Sequence, residues 1–392
     1  MSRRQPRQRQ AKGASVVGQR FTATVGPVAH GGHCIVRLPE PQSRVVFTRH
    51  ALPGEKVIVE ITEGTEGDRF WRGDAVEVLT AAPDRVPAPC QYAGPDLCGG
   101  CDFQHVALPA QRDLKATVIR EQLVRLAGMS PEDPRVAGLV VEGVPTGASD
   151  ALDGLHWRTR MQYVDLPGGT HGLRVHRSRD VVEIDECLIA HPDAREPSAA
   201  LVSEQVHGRD FTVAADGFWQ VHPGAPETLV DTVLALLDPQ PGEKALDLYS
   251  GVGLFAAFLA ERVGESGRVV AVEGDRRAAE HAKANLREFR RATVEAGSVD
   301  RVLVQSFDEP FDLVVLDPPR EGARRKVVEQ IVDRAPRGVA YVACDPAALA
   351  RDVAIFAEHG YALSSLRAFD LFPMTHHVEC VALLTKSGSD LR

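Results

Sequence analysis

The stretch Lys244–Phe255, KALDLYSGVGLF, constrains this chain more than any other. Its apolar run Ala245–Tyr249 has the length and continuity of a strand buried on both faces. Ser250-Gly251-Val252-Gly253 breaks that run, and Leu254 and Phe255 open a helical pattern. A buried strand that turns through glycines into a helix is the corner at which open α/β sheets hold a nucleotide. Without a Cβ at Gly251 and Gly253 the backbone can turn sharply and come close to a ligand. A second strand, Arg268–Val272, ends on Glu273 about twenty residues on, where such folds set a carboxylate against a ribose. The third glycine of the dinucleotide fingerprint is missing, and Gly-Val-Gly alone also describes a plain structural turn.

A chain of 392 residues exceeds one ordinary core, so two or three domains are expected. Charged residues at 25% and hydrophobic residues at 44% are those of a soluble globular protein. No stretch approaches about twenty uninterrupted apolar residues, and MSRRQPRQRQAKG has no apolar segment of the signal-peptide kind. A cytoplasmic protein with no membrane association is the expectation. Thiols stay reduced in that compartment, so the seven cysteines read as ligands, nucleophiles or core residues. A net charge of −9 argues against a uniformly basic nucleic-acid binder but leaves room for a local basic face.

Four regions follow in order. Residues 1–15 are a basic tail with almost no large apolar side chain, too poor in burial to fold alone. Residues 16–82 alternate in short β-type runs between glycine turns, which predicts a small antiparallel barrel. Arg44, Arg49, Lys56, Arg69, Phe70, Trp71 and Arg72 offer it charge and stacking surface, unless the aromatics fill its interior. Residues 83–215 read as a small α+β central domain. It carries Cys90, Cys98-Gly-Gly-Cys101 and, far along, Cys187, four thiols that zinc or a [4Fe–4S] cluster would accept alike. Its segment Leu108–Leu126 has helical spacing, with Arg112, Lys115, Arg120 and Arg125 expected on a solvated face. Residues 216–392 hold the glycine corner and two further apolar strands, FDLVVLDPPR and GVAYVACDPAALARD, each ending in polar residues where open sheets bind ligands.

The glycine corner with Glu273 resembles the class I S-adenosylmethionine-dependent methyltransferases, and the barrel around Ala51-Leu52-Pro53-Gly54-Glu55-Lys56-Val57 resembles a TRAM domain. Tyr341-Val342-Ala343-Cys344-Asp345-Pro346 and His376-His377-Val378-Glu379 resemble the two signature motifs of the RNA uridine-C5 methyltransferases. Their cluster motif resembles Cys90, Cys98-Gly-Gly-Cys101 and the following Gln104-His105. The resemblance implies an α/β fold: a Rossmann-like methyltransferase domain, an N-terminal OB-like barrel and a small central domain. It implies that Gln220, Tyr249, Glu273 and Asp317 join Gly251 and Gly253 at S-adenosylmethionine. It also implies that Cys90, Cys98, Cys101 and Cys187 hold a [4Fe–4S] cluster in preference to zinc.

The chemistry fits that family. C5 of uracil is a poor nucleophile until a thiolate adds to C6, the role implied for Cys344, and Glu379 would then remove the C5 proton. The target uridine has to leave its stack first. Large-subunit ribosomal RNA is the favoured substrate, with transfer RNA the alternative, and a monomer is expected. Asp317-Pro318-Pro319 also resembles the motif of amino-group methyltransferases, but Arg320 stands where those carry an aromatic residue. Asp345, Leu254 and Ser298 depart from the family's usual residues. Asp345 adds a carboxylate that disfavours a Cys344 thiolate, and a noncatalytic RNA-binding factor on the same scaffold is the rival reading.

Overall fold

Alternation in the N-terminal region closes into a barrel. The computed structural model describes residues 13–146 and 154–388, so residues 1–12 of the basic tail lie outside the described residues. In chain order the barrel strands are β1 (Arg20–Ala29), β2 (His33–Arg37), β3 (Val45–Arg49), β4 (Lys56–Glu63) and β5 (Phe70–Thr80). There follow α1 (Leu108–Ala127), α2 (Pro134–Ala137), β6 (Val141–Gly143), β7 (Arg158–Arg160), β8 (Val164–Asp165), β9 (His171–Arg174), β10 (Val181–Glu183), β11 (Ala190–Arg195), β12 (Leu201–Val206) and β13 (Arg209–Ala214). The remainder alternates: α3 (Ala225–Leu237), β14 (Lys244–Leu248), α4 (Leu254–Val263), β15 (Arg268–Glu273), α5 (Arg276–Asn285), β16 (Ala292–Ala296) and α6 (Val299–Ser306). It ends with β17 (Leu313–Leu316), α7 (Arg324–Asp333), β18 (Gly338–Ala343), α8 (Pro346–Glu358), β19 (Tyr361–Asp370) and β20 (Glu379–Lys386).

The barrel runs β1-β2-β3-β5-β4 and is closed. It departs from a purely antiparallel barrel at one seam. There β5 lies parallel to β3, with Val45 opposite Phe70, because β4 intervenes between them in the chain. Strand β4 shows the alternation at work, since Val57, Val59 and Ile61 point inward and are buried. Trp71 also fills the interior, stacked on Phe21 with its indole N–H donating to the Thr65 carbonyl at 2.8 Å. Phe70 stays half-buried under the Arg72 guanidinium. Several of the expected basic contacts are already engaged. Arg49 is buried beside Asp102, Arg44 donates to the Glu66 carbonyl, and Arg72 pairs with Glu63. Lys56 and Arg69 remain exposed.

Contacts divide the described chain into two units. The first holds the residues up to Gln111 together with Val164–Asp185 and Met374–His376. The second holds the described residues of Arg112–Tyr163, Glu186–Pro373 and those from His377 onward. This division differs from the sequence reading of one central domain over 83–215. Most of α1 and all of β6 belong with the glycine corner, because their apolar residues complete its core.

The second unit is built on a sheet of order β16-β15-β14-β17-β18-β20-β19-β6. Strands β14 to β18 run parallel, β20 enters antiparallel between β18 and β19, and β6 lies parallel to β19 at the edge. Both faces are covered. Ile119, Leu123, Leu303, Val328, Ile331 and Phe356 pack one side, while Leu229, Val233, Leu259, Ala279 and Phe211 pack the other. That double burial explains why the central strands read as continuous apolar runs. The strand order reverses between β14 and β17, the switch point at which open sheets form a crevice for ligands. Among the described residues no helix is long and apolar enough to cross a membrane.

The solvated face expected for α1 holds for Arg125, which is exposed, but not for Lys115 and Arg120. Lys115 is buried, its ammonium 2.5 Å from Asp370 and 3.0 Å from the Phe372 carbonyl, and Arg120 donates to the carbonyls of Val136 and Leu139. Both long side chains point into the unit because the neighbouring turn and strand end supply acceptors there. Lys115→Met should therefore destabilise the second unit by about 3–5 kcal/mol, since it strands a buried carboxylate. Calorimetric unfolding measures this, and a loss below about 1 kcal/mol would mean that Asp370 had found other compensation.

Candidate active site

A cavity of about 820 Å³ opens at the switch point and lies within the second unit. Its wall includes Gln220, Tyr249, Gly251, Glu273, Asp317, Cys344 and Glu379, so seven residues singled out from the sequence meet in one space. The corner is held in its turned form by backbone bonds. Tyr249 and Ser250 N–H groups donate to the Val272 carbonyl, and Tyr249 itself is left-handed at φ 63°, a conformation uncommon for a non-glycine residue. Gly251 is also left-handed, at φ 54°, and a Cβ there would meet nothing within 4 Å, which leaves room beside the backbone for a ligand.

Gly253 stands in the turn behind the cavity wall, next to Gly251 and Val252, which line it. It caps α4 in a left-handed conformation, and a Cβ would meet Leu286 and Ala282 at 3.4–3.5 Å, so its freedom serves the turn and the packing of α4 on α5. Glu273 does face the cavity. One of its oxygens accepts the Gly251 N–H at 2.8 Å and the other accepts the Asp275 N–H at 2.7 Å. The carboxylate thus clamps the glycine turn at the cavity wall.

Cys344 follows the last residue of β18, and Glu379 is the first residue of β20. The antiparallel ladder ends with Ala343 opposite Cys380, so Cys344 and Glu379 each adjoin its last pair; both line the cavity, and the Glu379 charge acts on the thiol. Two residues far apart in sequence are brought to one cavity through this ladder. Asp317 reaches the same space from the end of β17, its N–H donating to the Leu248 carbonyl at 3.2 Å.

Charge in the cavity is unbalanced toward acid. Burial, followed by the Asp317 charge, holds the Glu379 carboxyl well above the usual carboxylate range. Burial and then Glu273 push Asp317 up to about 7. Below them Asp247 is fully buried with one oxygen accepting the Ala256 N–H at 2.8 Å, and burial pushes it up to about 8. The Cys344 thiol is pushed up to about 12, first by burial and then by Glu379 and Asp317, with Arg320 acting the other way and Asp345 adding a smaller push upward. Asp345 has a structural task as well, capping α8 by accepting the Ala348 N–H at 2.7 Å. The expected burden of Asp345 on the thiol is present but subordinate.

The cavity also gathers residues that sequence reasoning left aside. Arg277 pairs with Asp216 at 2.8 Å on its wall, and Phe372 packs edge-on against Trp157 and His377. His281 contributes a buried Nε2 with no protein partner. Arg320, noted in the sequence only for not being aromatic, is the cation nearest in effect to Cys344. Its guanidinium lies 3.4 Å from His377 Nε2. Ser298 lies elsewhere, exposed at the start of α6 and hydrogen-bonded to Asp300, and Leu254 is buried in the first turn of α4.

The cysteine candidates are distributed over both units. Cys90, Cys98 and Cys101 lie in the first and Cys187 in the second, and among the described residues no group of three or more His, Cys, Asp or Glu side chains is arranged as a ready metal site. The donor chemistry on the loop nevertheless suits thiolates. Cys98 Sγ accepts the Gly100 N–H at 3.4 Å and Cys101 Sγ accepts the Gln104 amide at 3.4 Å.

Comparison with known proteins adds independent findings. Residues 202–387 match the family model described as tRNA (Uracil-5-)-methyltransferase, and residues 14–76 match the TRAM domain. A Streptomyces avermitilis protein named as an uncharacterized RNA methyltransferase is 46% identical, with 96% of this chain and 100% of that protein covered. The 23S rRNA (uracil(1939)-C(5))-methyltransferase RlmD of Acinetobacter baumannii is 28% identical over 92% of this chain and 93% of its own. The solved tRNA (uracil-54, C5)-methyltransferase of Pyrococcus abyssi, crystallised with S-adenosyl-L-homocysteine, superposes with a TM-score of 0.66. It is 22% identical, covers 93% of this chain and 100% of its own, and bears on the fold alone.

The unfavourable charge around Cys344 has a measurable consequence. A thiol pushed up to about 12 is almost wholly protonated at neutral pH, so iodoacetamide should modify Cys344 slowly at about pH 7. Its rate should climb about tenfold per pH unit to beyond pH 9, past the point near 8.5 where an ordinary cysteine levels off. Peptide mass spectrometry follows the modification, and a plateau below about pH 9 would contradict the electrostatic picture.

Proposed function

This chain belongs to the RNA uracil-C5 methyltransferase family, and we propose that it methylates C5 of a uridine in large-subunit ribosomal RNA, with Cys344 as nucleophile and Glu379 as base. The observation that supports the assignment is the β18–β20 ladder, whose last pair, Ala343 and Cys380, adjoins Cys344 and Glu379 at the wall of the cavity containing the Glu273–Gly251 clamp. S-adenosylmethionine supplies an electrophilic methyl group and a fixed positive charge when bound. Gln220, Tyr249, Gly251, Glu273 and Asp317 are the wall residues that would hold it.

The chain's own groups then divide the work. Arg320 favours the Cys344 thiolate against its acidic surroundings. The Sγ–C6 bond forms, and the displaced electron pair makes C5 nucleophilic enough to take the methyl group. Glu379, held well above the usual carboxylate range, is a strong base once ionised. It removes the C5 proton, and the electron pair it frees restores the C5–C6 double bond as the C6–Sγ bond breaks. An Arg at 320 offers no stacking ring for an amine-bearing base, which favours carbon over nitrogen as the acceptor.

Ribosomal RNA is favoured by the likeness to two RlmD proteins, each of which covers 92% of this chain. Transfer RNA is the second reading, and the wording of the matched family model favours it. Mapping the 5-methyluridines lost from total RNA of a deletion strain separates the two. We place the protein in the cytoplasm as a monomer, with Cys90, Cys98, Cys101 and Cys187 as ligands of a structural [4Fe–4S] cluster or, failing that, zinc. Metal analysis and visible absorption of anaerobically purified protein distinguish these, and metal-free protein with intact activity would remove the group from the account.

Incubation with RNA containing 5-fluorouridine, together with S-adenosylmethionine, should trap a denaturation-resistant protein–RNA adduct, because fluorine at C5 cannot leave as a proton does. Cys344→Ala should abolish the adduct and reduce methylation by at least about 10⁴-fold. An adduct that survives Cys344→Ala would contradict the mechanism.

A further inference from the structure

The segment that leads into β20 is held by the first unit. Met374–His376 belong to that unit, and only His377 and Val378 separate His376 from Glu379. The Met374 carbonyl accepts the N–H groups of Asp102 and Phe103, each at 2.9 Å, and the Met374 N–H donates to Gln111 Oε1 at 2.8 Å. These bonds fix Met374 in a left-handed conformation, φ 65°, which is uncommon for a non-glycine residue and persists only where the surroundings impose it.

Asp102 completes the restraint. Its Oδ2 accepts both the His376 backbone N–H at 3.1 Å and the His376 Nδ1–H at 2.6 Å. The Asp102 side chain is 9% exposed and the Arg49 guanidinium lies 3.8 Å from its other oxygen, so the carboxylate has little freedom to turn away. The barrel bears on the pair as well. Gly32, in the turn between β1 and β2, is left-handed at φ 77°, and a Cβ there would stand 2.9 Å from His376 Cβ and 3.1 Å from Asp102 Cγ. Barrel turn, cysteine loop and the Met374–His376 segment therefore meet at one carboxylate.

A base that takes a proton from carbon has to be aligned closely, since a displacement of about 1 Å costs about 10²-fold in rate. We propose that Asp102 is a positioning residue for proton abstraction: by fixing His376 it restrains the chain entering β20, and with it the Glu379 carboxyl on the strand's first residue. The proposal rests on the reading of Glu379 as the base. Thiol addition and methyl transfer precede that step and do not call on the base, so loss of Asp102 should slow one stage of the reaction and spare the earlier ones.

Single-turnover assays with S-adenosylmethionine on two RNAs test this: total RNA of a deletion strain, and the same RNA from cells grown with 5-fluorouracil. The fluorinated RNA forms its covalent adduct without proton abstraction, so Asp102→Ala should form it at the wild-type rate. On unmodified RNA the variant should release methylated product about 10–100-fold more slowly, and methylated uridine should accumulate on the Cys344 peptide in mass spectrometry. Asp102→Asn, whose amide oxygen can accept the same two bonds, should restore release. His376→Ala removes only the ring partner and is remote in sequence from the cysteines. It should slow release less than Asp102→Ala and add nothing to it in the double variant. Equal slowing on both RNAs, the mark of a purely structural defect, or release at the wild-type rate would overturn the proposal. Wild-type protein that formed no adduct with the fluorinated RNA would overturn the uridine-C5 reading and the proposal with it, a failure distinguishable from the other two.

Discussion

The antiparallel entry of β20 between β18 and β19 is the constraint on which the catalytic unit depends. Five parallel strands alone would bring the glycine corner, Glu273 and Asp317 to one edge of the sheet, and that edge could bind a nucleoside. What they could not do is set a carboxylate beside the thiol at the end of β18, because the next parallel strand would end in the same direction with its own loop. Running β20 the other way starts it with Glu379 beside the end of β18, next to the pair Ala343–Cys380 and so near Cys344. A slip of β20 by one residue would turn Glu379 to the other face. The buried run of β18, apolar throughout Gly338–Ala343, and the buried Cys380, Val381 and Ala382 of β20 specify that register.

This placement has an electrostatic cost. Asp247, Asp317, Glu379 and Cys344 are all held toward their protonated forms by burial and by one another, and Arg320 is the counterweight acting on the thiol. A cavity so acidic is poorly suited to an anion and well suited to a cation, whose charge would make ionisation of these groups easier. Without such a cation the Cys344 thiol and the Glu379 carboxyl are held toward their protonated forms. The same arrangement assigns Asp345 to helix capping, where its charge is partly committed to the Ala348 N–H.

Much of this was legible in the residues, and the exceptions have physical causes. The corner was readable because a doubly buried strand, apolar but for Asp247, ends abruptly in glycines, and Glu273 because spacing from the glycines fixes it. Cys344 and Glu379 were readable only as motif members. An apolar run such as ECVALLTK announces a strand but not its neighbour. Lys115 of α1 was misread because helical spacing shows which side a residue faces but not whether acceptors wait there, as Asp370 and the Phe372 carbonyl do. Trp71 and Phe70 are adjacent in sequence, and the pleat alone decides that the first fills the barrel while the second stays half-exposed.

The most direct test asks whether Cys344 and Glu379, both on the cavity wall, work as a catalytic pair. Glu379→Gln, incubated with unmodified substrate RNA and S-adenosylmethionine, should complete methyl transfer but fail to release the product. A methylated uridine should then accumulate covalently on the peptide containing Cys344, detected by mass spectrometry. Turnover at the wild-type rate, or a covalent complex at any other residue, would contradict the account.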